Sequence, residues 1–192
     1  MRSAVRLLLG LALVVPGSAP APAAVPNPAN SSIVASGSPL PCQFRFRADG
    51  GLDELVLNIT VRGAFMEPIS NCSTYVSLNP TGGSVICSGD GLVRGAWTDA
   101  SGAVEVSWNR LGGRGTCEVD VTTTCLAPIG LGKVSVDFTS PDLDGSCDGA
   151  DVFDLGLWAQ GLPPGYVRES DYNCDGLVDV FDLAVWAGGI GR

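Results

Sequence analysis

The sequence predicts a mainly β protein, an antiparallel β-sandwich followed by a small α-helical module. Two observations carry this expectation. From Cys42 to Phe138, short segments of alternating apolar and polar residues are separated by glycine, proline and asparagine, with no helical stretch of about ten residues between them. After Ser140 the composition turns strongly acidic, and one sequence unit occurs there twice, each copy ending in apolar residues spaced for a helix.

The first element, residues 1–24, has the layout of a secretory signal peptide. Arg2 and Arg6 precede an apolar run from Leu7 to Val15, and small residues and prolines follow, ending in Ala19, Ala21, Ala23 and Ala24. A membrane span needs about 20 apolar residues, and this run stops at Pro16, so export with cleavage is expected and a retained anchor is not. Residues 25–41, rich in proline, serine and alanine, read as a linker or a loose first strand.

The chain carries 20 acidic against 11 basic residues, a net charge of −9, and losing the leader would remove two more arginines. Such a surface repels phosphate backbones and anionic lipid, which argues against nucleic-acid and membrane partners. Histidine is absent, so the commonest general base and the commonest imidazole metal ligand are missing. Seven cysteines in an exported chain point to disulfides, with at least one thiol left over and connectivity undetermined.

Residues 42–140 carry the sandwich. Leu55, Leu57, Ile59 and Val61 fall on one face of a strand, against Asn58, Thr60 and Arg62 on the other. Val104, Val106 and Trp108 repeat the pattern, as do Val134, Val136 and Phe138, which makes Trp108 a core residue and leaves Trp97 unassigned. The turn Thr98-Asp99-Ala100-Ser101-Gly102, leading straight into a strand, resembles the corresponding turn of bacterial immunoglobulin-like domains of the invasin and intimin type. That resemblance implies an immunoglobulin-like sandwich over about residues 33–138.

Residues 141–192 hold ten of the 20 acids and only Arg168 and Arg192 as bases, a charge hard to compact without a cation. The unit beginning at Cys147 recurs at Cys174 with eleven identical positions when one gap is allowed. In the second copy Asp171, Asn173 and Asp175 stand at alternate positions, Gly176 follows, an apolar Val178 comes two later, and Asp182 closes a twelve-residue loop. This spacing matches a calcium loop. The first three residues supply hard oxygen donors, Gly176 allows the reversal that turns the Leu177 carbonyl inward, Asp179 would act through water, and Asp182 would complete the shell. Val178 would pair with the partner loop in a short β contact.

The first copy is irregular. Anchored on Asp154, its best match runs back through Asp151, Asp148, Ser146 and Asp144, giving an eleven-residue loop without an equivalent of Val178. Starting at Asp142 instead gives a thirteen-residue loop with its glycine displaced. Behind the loops, Val152, Leu155 and Trp158, and Val180, Leu183 and Trp186, repeat at a spacing of three, so both valines and both tryptophans are expected in the core. Phe153 and Phe181 fit either core or partner contact. Gly161, Pro163 and Pro164 end the first helix, and Gly188 and Gly189 the second.

Two acidic loops closed by aspartate, each followed by a helix, resemble a type I dockerin. That resemblance implies calcium (Ca2+) as the bound ion and docking onto a cohesin-like protein domain, with polysaccharide engaged indirectly. It makes Val152 with Phe153, and Val180 with Phe181, the partner-selecting pairs. The expected function is a secreted, non-catalytic adaptor. The alternatives are a carbohydrate-binding or adhesive sandwich using Trp97, Trp108 or Tyr75, and a small glycoside hydrolase drawing on Asp53, Glu54, Glu67, Glu105 or Glu118, none of which sits in a recognisable catalytic motif. Cys147 and Cys174 would bridge the two loops or pair elsewhere.

Overall fold

The computed structural model describes residues 24–36, 44–45, 55–108 and 110–190. The expected leader, apart from Ala24, and Cys42, Asp53 and Glu54 lie outside them. Eight strands follow in chain order: β1 (Ser32–Ser36), β2 (Phe44–Arg45), β3 (Leu55–Thr60), β4 (Ser73–Ser88), β5 (Val93–Trp97), β6 (Ala103–Trp108), β7 (Leu111–Thr124) and β8 (Pro128–Thr139). Two α-helices close the chain, α1 (Val152–Trp158) and α2 (Val180–Ala187).

The strands make a three-stranded sheet in the order β1-β3-β6 and a five-stranded sheet in the order β2-β8-β7-β4-β5. All pairings are antiparallel except β2 with β8, which is parallel. One hydrophobic core lies between the sheets. Leu55, Leu57, Ile59 and Val61 enter it from one side, Val76, Val119, Val121 and Phe138 from the other, and Trp108 is buried among them. The alternation read from the sequence is therefore the alternation of inward and outward faces. The stretch expected to be a linker or loose first strand contributes β1, paired with β3 along its whole length.

The turn after β5 is built by Asp99. Its Oδ1 accepts hydrogen bonds from the Ser101 amide at 2.8 Å, the Ser101 hydroxyl at 2.7 Å and the Ala103 amide at 2.9 Å. These bonds hold its carboxyl below the usual carboxylate range, the Ser101 hydroxyl contributing most. Gly102 has φ +74°, and a Cβ there would lie 2.5 Å from the Val61 carbonyl oxygen, so both conformation and space demand glycine.

β4 and β7 stay paired beyond an irregularity in their register. A bulge between Thr81 and Val85 shifts their register, and the extension carries Cys87 opposite Gly112. The acidic segment attaches to this extension. Cys87 is disulfide-bonded to Cys147, the Gly113 amide donates to the Asp142 carbonyl at 2.6 Å, and the Thr139 hydroxyl donates to the Glu169 carbonyl. Arg168 pairs with Asp137 of β8 at 2.9 Å, and the Tyr172 hydroxyl donates to the Ser140 carbonyl at 3.2 Å. A second disulfide, Cys72–Cys125, staples the opposite end of the sandwich. Cys174 is also disulfide-bonded. Because Cys147 is joined to Cys87, the two loops are not bridged to each other. Cys117 remains a thiol, buried between the sheets and pushed up to about 11 by that burial.

Candidate metal and docking site

The two acidic loops are built alike from the backbone upward. In the second, the Asp171 carboxylate accepts from the amides of Asp175 at 3.2 Å and Gly176 at 2.9 Å. In the first, the Asp142 carboxylate accepts from the amides of Ser146 at 3.1 Å and Cys147 at 2.9 Å, the same offsets of four and five residues. Cys174 and Gly176 have positive φ in one loop, Gly145 and Cys147 in the other. Residues one past the leading aspartates, Leu143 and Tyr172, are both fully buried in a second small core with Trp158 and Trp186.

This parallel fixes the register that the sequence left open. Asp142, not Asp144, occupies the place of Asp171, so Asp144 matches Asn173 and Ser146 matches Asp175. The loop is the thirteen-residue one, and the extra residue falls between Cys147 and Ala150. Asp148 therefore lies in the inserted stretch, and the Ser146 hydroxyl donates to its carboxylate.

Each loop closes onto a helix. Asp151 and Asp179 cap α1 and α2, and Asp154 and Asp182 complete the capping boxes by accepting from the Asp151 and Asp179 amides at 2.8 and 3.0 Å. The other oxygen of each reaches back to the start of its own loop, Asp154 to the Asp144 amide at 2.9 Å and Asp182 to the Tyr172 and Asn173 amides at 2.7 and 3.2 Å. Both are fully buried.

Nine carboxylates thus crowd two small loops, five in the first and four in the second, and no lysine or arginine is paired with Asp142, Asp154 or Asp182 among the described contacts. Burial, opposed by backbone hydrogen bonds but reinforced by neighbouring aspartates, pushes Asp142 up to about 6 and raises Asp154 and Asp182 as well. The carboxylate oxygens of Asp142, Asp144 and Asp148 lie within 4.8 Å of one another. Calcium binds oxygen at about 2.3–2.6 Å, so two of its ligands stand at most about 5 Å apart. The donor set, all hard oxygen, suits that ion. In the second loop the Asn173 amide, which donates to Asp175 at 3.0 Å, replaces one carboxylate.

Two further expectations for this region are corrected. Val178 does not make a β contact with the other loop; it is buried against Gly161, and the isolated bridge here joins Ala150 to Ile190 in parallel. Val152 and Val180 are not core residues. With Phe153 and Phe181 they stand in solvent at the helix starts, each between 66 % and 71 % exposed. The cause is angular. At about 100° per residue, steps of three drift by about 60°, leaving Val152 about 120° from Trp158 around the helix. The buried stripe instead passes through Asp154 and Trp158, and through Asp182 and Trp186.

The helix exits are reciprocal. Gly161, after α1, lies against Ser170, the residue before Asp171, where a Cβ would stand 2.9 Å from the serine Cβ. Gly189, after α2, lies against Pro141, the residue before Asp142, where a Cβ would stand 2.7 Å from the proline Cβ. Each half thus seats the start of the other.

Of the carboxylates considered for catalysis, the three among the described residues are each engaged or placed apart. Glu67 caps its own turn by accepting from the Phe65 amide, Glu105 sits on the outer face of the three-stranded sheet, and Glu118 is bound to Lys133. Among the described residues, no helix is long and apolar enough to cross a membrane.

No family model matches the chain, and no curated protein matches it. Among solved structures it is similar to the D00-D0 domain of intimin, at 20 % identity and a TM-score of 0.34. The match covers 56 % of this chain and 46 % of that one, under half of the other structure's length. The architecture itself defines a mainly β protein, its antiparallel sheets facing across a single core.

Proposed function

We propose that this chain is a secreted, non-catalytic adaptor whose two acidic loops take up calcium and whose paired Val-Phe dipeptides dock onto a protein partner. The observation that carries the reading is the exposure of Val152, Phe153, Val180 and Phe181 in the first turns of two helices that the acidic loops themselves anchor. Four apolar side chains held in solvent by capped helix starts are costly unless something covers them. Calcium would neutralise the buried aspartates, fix the helix starts and so fix the spacing of the two pairs. The resemblance of the repeat to a type I dockerin makes a cohesin-like domain the partner, within extracellular polysaccharide-degrading assemblies. The reciprocal packing of the two halves supports a surface able to dock in either of two orientations.

The test is calorimetric titration of the full chain with calcium, followed by capture on an immobilised cohesin domain with calcium or with EDTA. The expected result is heat from two loops and capture in calcium alone. Phe153→Ser or Phe181→Ser would each weaken capture modestly, and both together by tenfold or more, about 1.4 kcal/mol. Equal thermal stability in calcium and EDTA with no heat of binding would overturn the metal reading. Undiminished capture of the double variant would overturn the docking reading.

A further inference from the structure

The outer face of the five-stranded sheet carries a surface of different chemistry. In the register of that sheet Trp97 stands opposite Ser73, and Ser73 opposite Thr124. One step along the strands, Gly95 stands opposite Tyr75, and Tyr75 opposite Thr122. Thr74, Val76 and Leu78 of β4 are buried, so Ser73, Tyr75 and Ser77 point away from the core together with their partners.

Two aromatic rings therefore share one outward face of neighbouring strands, with Trp97 68 % and Tyr75 49 % exposed. The tyrosine is laid down on the sheet. A Cβ on Gly95 would come within 2.9 Å of its Cδ1 and 3.1 Å of its Cε1, so the ring occupies the space that a side chain at 95 would need. Beside the rings run short hydroxyls, Ser73, Thr124 and Thr122.

The charge of the patch indicates its ligand. The chain as a whole carries −9, yet the two rows through Trp97 and Tyr75 contain no aspartate, glutamate, lysine or arginine. The first charges lie beyond these rows, Asp120 one row further on towards Ser77, 3.8 Å from Lys133, and Asp99 two residues past Trp97, where its carboxylate is taken up by its own turn. An uncharged ligand would desolvate no ion here, whereas an anionic one would meet the repulsion of the whole molecule. Flat aromatic faces bordered by hydroxyls offer what a sugar ring presents, an apolar face of C–H groups edged by hydroxyls. A protein partner would call for aliphatic side chains around the rings, and these two rows offer only Pro128, opposite Thr124, with Val93 one row further on.

We propose that the Trp97–Tyr75 face binds a neutral polysaccharide built of pyranose rings, which stack on the two aromatics and hydrogen-bond to the adjoining hydroxyls. The face lies at the Ser73 end of β4, whereas the acidic loops join through Cys87 near its other end. The proposal does not rest on the docking reading, and both surfaces can be occupied together.

The experiment is depletion of the full chain, with calcium present, by microcrystalline cellulose, by insoluble xylan and by beads carrying polygalacturonate as the charged counterpart. Retention is expected on at least one neutral glycan. Trp97→Ala should weaken it by about tenfold, with Trp97→Phe keeping most of it and Trp97→Leu little. Phe153→Ser with Phe181→Ser should leave retention unchanged. Should Trp97→Ala lower the melting temperature, Tyr75→Ala carries the test. The proposal is overturned by no retention on either neutral glycan, by retention on polygalacturonate alone, by ring-removing variants that bind as well as the parent, or by Trp97→Leu matching Trp97→Phe.

Discussion

Replacing Cys87 and Cys147 together by serine cuts the covalent tie between the sandwich and the first acidic loop. The bridge spans 60 residues of sequence, but Cys72–Cys125 supplies a shortcut. The shortest ring it closes runs from Cys87 back to Cys72, across to Cys125 and on to Cys147, roughly 37 residues, and a ring of that size restricts the unfolded chain by about 4 kcal/mol. Denaturant unfolding of the oxidised parent and the variant, both in calcium and in EDTA, measures the difference. The bridge also shapes the loop proposed to take up calcium, because Cys147 donates its amide to Asp142. The loss should therefore be larger in calcium than in EDTA, and calorimetry should show weakened binding at one of the two loops. A loss under about 1 kcal/mol in both conditions, or equal losses with unchanged affinity, would refute the tether argument.

Two further outcomes follow from the same region. Since burial raises the folded-state pKa of Asp142 to about 6, and raises Asp154 and Asp182, the metal-free fold holds more protons than the unfolded chain, and its stability should fall as pH climbs from about 4 through 6. Saturating calcium, bound as proposed, would take the place of those protons and reverse the slope; melting curves that show one slope in both conditions would count against it. Gly161→Ala and Gly189→Ala should each destabilise by about 1–3 kcal/mol, the second more because Pro141 is rigid, whereas Gly156→Ala, in α1 with open space around it, should stabilise by about 0.5–1 kcal/mol. Denaturation midpoints of the three variants check that order.

Much of the sandwich was legible because its strands obey a period of two. Leu55, Leu57 and Ile59 could be assigned inward, and Trp108 with them, since Asn58, Thr60, Glu105 and Ser107 mark the opposite faces as polar. The parallel pairing of β2 and the joining of Cys87 to Cys147 were not legible, because both depend on contacts between distant stretches. The second loop was readable from its spacing. The first was not, because one inserted residue made the register starting at Asp144 the better match in sequence, and only the backbone bonds to Asp142 reveal the longer loop. The exposed valines were misread for a simpler reason, a spacing of three taken as a single helical face over too long a run. The Trp97–Tyr75 face left only its residue types in the sequence; their adjacency arises from the β4–β5 register.

The crossed seating of the two glycines has a consequence for biosynthesis. Pro141 and Asp142 leave the ribosome long before Gly189, yet Gly189 packs on Pro141 and Ile190 bridges to Ala150. A nascent chain halted after α1 therefore carries its first acidic loop without the surface that supports it, even with the sandwich complete. Both loops must mature in a single step, at which the later turn locks the earlier one.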